Sequence, residues 1–424
     1  MLAAFWTKLK LALSDAPLRR RLIFVGAALF LFRLGASIPI PGVNVAALER
    51  FFADNQFFNL LNLFSGGGLS NLSIVMLGVG PYITATIIMQ LLTIMFPSLK
   101  ELYHESGGEG RRQFAQYARF LTVPLALLQG FGLLALLGRQ GILGELTFFD
   151  KLVSVIVVTA GSILLMWLGE LINEYGIGNG TSLIIFAGIV AGIPSAVSQV
   201  IVNFELASVP FYLGYLVAAA VIVAGVVVMT EAERPVPITY AKQVRGMRVY
   251  GGVSTYLPIR LNQAGVMPII FALSLLLFPQ MIVNFFANAG NATVRAVADV
   301  LLSLLNNSWF YAIIYFVLVF LFTYFYSAIT FDPTAISENL QKSGAFIPGI
   351  RPGRPTAEHL AKTVTRLTFV GALFLGAVAM LPLLMQAITG LTALAIGGTA
   401  LLIVVSVALE FTKQVDSQIS MREY

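Results

Sequence analysis

The 424-residue chain has no cysteine, two histidines and little charge, with Asp, Glu, Lys and Arg together making up 11% of it. The missing cysteine excludes disulfides, thiolate nucleophiles and zinc-thiolate sites. His104 and His359 stand in separate polar connections, and neither belongs to a His-Glu-x-x-His pattern, which argues against metal catalysis. No Gly-x-x-x-x-Gly-Lys-[Ser/Thr] loop occurs, so the chain carries no P-loop and a nucleotide-driven motor has to be a partner. Serines and threonines have no histidine base beside them, which argues against a nucleophilic triad. No catalytic residue, metal or cofactor is expected.

What the chain has in excess is apolar length. Hydrophobic residues make up 58%, and ten stretches approach the roughly 20 residues a helix needs to cross a bilayer, beginning near Arg21, Leu72, Gln116, Leu152, Thr181, Pro210, Gly265, Ser308, Leu367 and Ala393. Acids sit almost entirely in the connections. A proton- or sodium-coupled transporter needs ionisable or polar ligands near the midplane, because something must bind the dehydrated ion. The pattern reads as a conduit rather than a pump.

Orientation follows from the basic residues, since short cytoplasmic segments keep Lys and Arg while translocated ones shed them. Of 26 such residues, 21 fall on the side of the termini and four opposite (Arg50, Arg139, Lys151, Arg295), with Arg33 inside the first span. Both ends are expected in the cytoplasm. The basic stretch before the first span resembles a secretory leader, but no convincing cleavage site comes after it, and the segment reads as a retained helix.

Residues 1–205 hold five spans and residues 206–424 the other five, an arrangement in which the halves have opposite orientations, as in an inverted repeat. The short connection from Asn203 to Pro210 offers a hinge between them. Ahead of the second span, Phe57, Leu60, Leu61 and Phe64 share one helical face before Ser65, Gly66, Gly67 and Gly68. This helix is too short to cross. Two readings stand: an amphipathic helix on the outer surface, or a re-entrant segment packed inside protein. Gly78, Gly80 and Pro81, then Gly188, Gly192 and Pro194, then Pro268 and Pro279 interrupt the second, fifth and seventh spans; such residues usually only shape packing. Among polar residues within spans, Gln90 and Gln129 either hydrogen-bond between helices or belong to a seam that opens. Arg33, in the outward half of its span, is expected to snorkel to the outer interface. Aromatic and basic residues alternate from Tyr240 to Tyr256, a mixture that fits RNA or an acidic protein face equally.

Two strings, Tyr175-Gly176-Ile177-Gly178-Asn179-Gly180-Thr181-Ser182 and Lys342-Ser343-Gly344-Ala345-Phe346-Ile347-Pro348-Gly349-Ile350-Arg351-Pro352-Gly353, resemble the SecY/Sec61 family of protein-conducting channels. Supporting matches are Ile38-Pro39-Ile40-Pro41-Gly42, Asn62 to Gly67, Gly80-Pro81-Tyr82-Ile83 and Ala264-Gly265-Val266-Met267-Pro268, in order from about Arg20 to the end of the tenth span. The resemblance implies an all-α integral membrane protein of ten helices in two pseudo-symmetric five-helix halves around a central pore. It implies a ring of apolar side chains at the waist, carried over to Val79, Ile83, Ile185, Ile270 and Ile403. Segment 57–68 matches the family's plug, with Phe57, Leu60, Leu61, Phe64, Gly66 and Gly67. A lateral gate between spans two and three and spans seven and eight would place Gln90, Gln129 and Asn262 at the seam. Loops 231–262 and 331–366 would dock partners through Arg245, Arg248 and Arg351.

The partners so implied are SecE, SecG, the SecA ATPase, the ribosome, signal peptides, unfolded preproteins and the lipid of a bacterial inner membrane. The function implied is that of the central subunit of a preprotein translocase: a passive channel, not an enzyme, that threads unfolded secretory chains and releases hydrophobic segments sideways. Two departures from the family pattern touch the docking loops. Arg234 is followed by Pro235 where paired arginines are common, and the connection between spans four and five has no basic residue. A small-solute transporter and a non-transporting scaffold or insertase subunit are the rival readings.

Overall fold

The structure is a computed structural model that describes residues 14–41, 62, 65–104, 107–139, 141–143, 147–202, 209–240, 243–245, 248–250, 254–286, 292–305, 307–389 and 397–420. It is mostly helical. The first half contributes α1 (Ala16–Ala36), α2 (Gly80–Met95), α3 (Pro97–His104), α4 (Gly107–Arg139), α5 (Phe148–Tyr175) and α6 (Gly180–Val202). After α7 (Val209–Glu231) come strands β1 (Glu233–Tyr240), β2 (Gln243–Arg245), β3 (Arg248–Tyr250) and β4 (Ser254–Arg260), then α8 (Met267–Phe286), α9 (Ala292–Leu305), α10 (Ser308–Thr330), α11 (Pro333–Lys342), β5 (Ala345–Phe346), α12 (Arg354–Thr389) and α13 (Gly397–Ser420).

Each of the ten apolar stretches carries a helix, namely α1, α2, α4 to α8, α10, α12 and α13. Among the described residues four helices are long and apolar enough to cross a membrane by themselves, those at 108–138, 148–175, 309–342 and 354–381. A fifth is added if α2 and α3, bent by 117° at Phe96, count as one span. Pro97 opens α3 at that bend, and a residue before proline is driven out of the helical region, so α2 ends where it must. Start signals are local elsewhere too. The Thr147 and Asp150 side chains form a reciprocal capping box on α5, and the Asn307 side chain accepts from the Trp309 and Phe310 amides at the head of α10.

Phe120, Trp167, Leu216 and Leu321 are more than half exposed on these helices. A belt of that kind is stable only against lipid. The buried side of the bundle is continuous from α1 through α13. The first-half helices pack on one another and the later helices do likewise, and the substantial contacts between the two groups run along two seams: α8 against α2 and α4, and α13 against α6.

The second span differs from the expectation drawn from hydropathy. Helix begins at Gly80, not near Leu72, because residues 65–79 form a chain of turns. Gly66, Gly67 and Gly78 take positive φ, as does Leu72 at 41°, which no continuous helix tolerates. The irregular stretch is nonetheless buried, with Leu69, Leu72, Val75 and Met76 inaccessible. Its polar backbone is satisfied internally, as apolar surroundings require. The Ile40 amide donates to the Leu72 carbonyl, the Ile74 amide to the Ile38 carbonyl, and the Ser162 hydroxyl to the Gly78 carbonyl. The Ile-Pro-Ile-Pro string is therefore a one-bridge strand partner for Ser73.

The strands, too, are absent from the sequence expectation. β1 is flanked by β4 and β5, all antiparallel, so the connection after α7 and the connection after α10 share one small sheet. Alternation is the signal that could have found it: Val236, Ile238 and Ile259 point inward, and Val236 and Ile259 join Ile347, Leu360 and Val364 in a compact satellite core. Pro235 and Pro237 mask it, since proline argues against a central strand. They are tolerated because β5 pairs only with Thr239 and Tyr240, leaving the proline-bearing part of β1 at an edge.

Candidate functional site

Val79 is the N-cap of α2, and its carbonyl accepts from the Ile83 amide one turn on, so the two side chains share a face. Ile185 lies in the second turn of α6, Ile270 in the first turn of α8, and Ile403 in α13. Their exposures are 0%, 6%, 1%, 1% and 2%, and all five belong to the same contiguous apolar cluster. Among the described residues the buried polar side chains are serines, threonines and the Tyr315 phenol, and no carboxylate, histidine, lysine or arginine is buried. A constriction of this make-up has nothing to hold a dehydrated ion or grip a passing side chain.

Two of the three seam residues carry an unusual feature. Gln90 Oε1 on α2 and Asn262 Oδ1 at the approach to α8 are buried with no hydrogen-bond partner among the described residues. The Asn262 amide group donates to the Gly265 carbonyl at 3.1 Å, which fixes its rotamer but leaves the oxygen bare. Each such orphan costs about 1–3 kcal/mol. Gln90 lies on α2, which contacts α8, whereas Asn262 precedes α8 and its backbone lies beside Gly371 of α12. Gln129 lies on α4, where its neighbour Gly130 faces Leu77, Thr159 and the Val155 carbonyl.

Phe57, Leu60, Leu61 and Phe64 lie outside the described residues. Just beyond them, the Gly67 amide donates to the Asn62 carbonyl at 2.9 Å, and Gly66 takes the left-handed φ of 67°. Gly66 then sits directly on Gly188 of α6 and beneath the ring of Phe32. Arg33 Nη1 donates to the Gly66 carbonyl at 2.9 Å. That partner is invisible in the sequence, being 33 residues away.

Arg351 is exposed in the turn between β5 and α12, and its carbonyl accepts from the Thr356 hydroxyl. The Ser337 hydroxyl closes the same turn on the Gly353 carbonyl. Arg245 and Arg248 are paired across the β2–β3 ladder. Nearby bases are engaged on the surface, Arg260 with Glu233, Arg354 with Glu358 and Lys342 with Glu338.

The Tyr175–Ser182 string is accounted for by packing. Gly178 takes φ of 92°, the Asn173 side chain accepts from the Gly180 amide at 2.7 Å, and the Asn179 side chain accepts from the Ser182 amide. Gly180 lies against the Gly169 backbone, letting α6 start where α5 ends.

Comparison with known proteins agrees with this geometry. The SecY family model matches residues 73–412. A protein translocase subunit SecY from Corynebacterium glutamicum is 44% identical over 97% of this chain and 98% of its own length. The Streptomyces coelicolor counterpart is 43% identical over 97% of each. Among solved structures, a SecY channel whose plug domain is said to stabilise the closed state and maintain a membrane seal superposes with TM-score 0.67 at 20% identity, covering 96% of this chain and 93% of that one. The canine Sec61 channel in its ribosome complex superposes with TM-score 0.62 at 18% identity, covering the same shares. At these identities the structures establish the fold, while the sequence relatives and the family model establish kinship: the chain belongs to the SecY family.

Proposed function

We propose that the chain is the central channel subunit of a bacterial preprotein translocase, through which unfolded secretory proteins pass and from which hydrophobic segments leave sideways into the lipid. The observation that supports this reading is that Val79, Ile83, Ile185, Ile270 and Ile403, drawn from four different helices, are all buried in one apolar cluster of a bundle whose described interior buries no carboxylate, histidine, lysine or arginine. Such a waist excludes hydrated ions by dewetting yet offers an extended chain no fixed charge to bind. Ion-coupled uptake of small solutes finds no ligand there.

In this reading residues 1–205 and 206–424 are the two halves of a clamshell, the contact of α8 with α2 and α4 is the lateral gate, and the α13–α6 contact closes the other side. Segment 57–68 is the plug. The hinge assigned to the Asn203–Pro210 connection lies largely outside the described residues. Both termini and the shared sheet face the cytoplasm, in keeping with the basic bias of those segments. SecE and SecG are the companion subunits, and the energy comes from the SecA ATPase or from a translating ribosome. A stalled secretory chain should crosslink to photoreactive probes at both Ile83 and Ile270 in the membrane; labelling at neither would overturn the channel reading in favour of a scaffold.

The sheet that joins the two docking connections gives Arg351 a rigid platform, and its side chain is left exposed on it. Removing one partner of a charge pair at an interface typically costs about 2–5 kcal/mol. Arg351→Glu is therefore expected to cut ATPase-driven export at least about tenfold while the protein still inserts and folds. Export at the normal rate in inverted vesicles would remove Arg351 from the docking surface.

A further inference from the structure

We propose that Arg33 is a latch that holds the plug in the resting channel, acting with Phe32 and Gly188 on the backbone of Gly66. The inference rests on the assignment of segment 57–68 as the plug. An arginine within a span is expensive unless a partner meets it, and here a main-chain carbonyl accepts from it. A charge-assisted hydrogen bond to a carbonyl is among the stronger ones available. On that assignment, it is made to the segment that moves when the channel opens.

The surrounding contacts make the grip specific. A Cβ added to Gly66 would collide with the Phe32 ring and approach the Gly188 Cα at 3.1 Å, and one added to Gly188 would collide with the Gly66 Cα. Phe32, 1% exposed, lies beside Arg33 in the last turns of α1, so one short segment both covers the glycine and bonds its carbonyl. Gly188 follows Ile185 by three residues on α6 and shares its face. A chain that pushes Ile185 outward thereby moves the floor on which Gly66 rests. The latch is tied to the waist through one turn of helix, and widening of the waist weakens its hold on the plug.

The test is chloride efflux from proteoliposomes containing the full-length channel at rest. Arg33→Gln should raise efflux about tenfold, the equivalent of about 1.4 kcal/mol in the closed-to-open balance of the plug. Gly188→Ala should act in the same direction without altering any charge, and because alanine favours helix over glycine a leak would not reflect unravelling of α6. Arg33→Lys, which keeps a charged donor, should fall between. In a channel lacking residues 57–64, which should itself leak, Arg33→Gln should add nothing. Efflux at the wild-type level in both Arg33→Gln and Gly188→Ala, with the deletion leaking, overturns the latch and leaves the plug standing. Equal increments from Arg33→Gln with and without the segment also overturn it, because the arginine would then act on the wall. A deletion that does not leak overturns the plug assignment itself.

Discussion

Proteoliposomes carrying the Ile83→Asn, Ile270→Asn double variant are expected to leak small ions at rest, with conductance raised at least about tenfold, a change worth about 1.4 kcal/mol. Both side chains are nearly inaccessible, at 6% and 1%, and sit in a cluster of apolar neighbours that leaves an amide without a ready partner. Leaving an amide dry and unpaired costs roughly 2–7 kcal/mol. Admitting water relieves that cost at both positions together, so a column of water through the waist becomes the lower-energy arrangement. Ile83→Leu with Ile270→Leu supplies the control, since volume-conserving apolar exchanges usually cost under about 1.5 kcal/mol and keep the constriction dry. A tight double-asparagine channel that still exports preproteins would show that these residues do not form the seal.

The role of these isoleucines is not legible from spacing. An isoleucine in a membrane helix is ordinarily core or lipid-facing, and periodicity alone cannot distinguish either from the lining of a closed pore. Family resemblance names the five, and the fold draws α2, α6, α8 and α13 together around them. The helices of the ten apolar stretches are legible, because a long apolar run buried in lipid satisfies its backbone as a helix. The start of the second span is not. Its apolar residues continue upstream of Gly80, but glycines at positive φ and a bridge to Ser73 from Pro39 break the helix. Hydropathy registers burial and is blind to whether buried backbone is helical or tied to another strand.

Polar positions show the same limit from the other side. Gln90 and Asn262 stand out in the sequence as scarce amides, and nothing local reveals that each keeps a bare oxygen. Arg33 is visible as a lone charge, yet its partner is a carbonyl, which every residue owns and no sequence advertises. The sheet that joins the connections after α7 and α10 has a readable alternation, but its prolines obscure it. Contacts made by side-chain type can be anticipated from sequence; contacts made by backbone require the fold.

Backbone contact also sets the second large effect. Gly180→Ala should destabilise the folded channel by about 3 kcal/mol or more, at or beyond the upper end of ordinary overpacking. The added Cβ would lie closer than 3.0 Å to the Gly169 carbonyl oxygen, carbonyl carbon and Cα, a separation that real Cβ atoms essentially never show. The obstacle is main chain, so no rotamer change relieves it, and α6 must shift bodily from α5. Such a shift strains the bond from the Gly180 amide to the Asn173 side chain and drags Ile184 and Ile185, which are 2% and 1% exposed, from their packing. Gly192→Ala isolates the cause. It lies on the same helix with nothing within 4 Å of its added Cβ, and the loss of glycine there should be neutral or stabilising by about 0.5–1 kcal/mol. Thermal unfolding of the detergent-solubilised protein, with membrane abundance as the second readout, separates the two. A Gly180→Ala protein that melts with the unaltered chain would mean that α5 and α6 do not meet backbone to backbone, and the position assigned to Ile185 at the waist would fall with it.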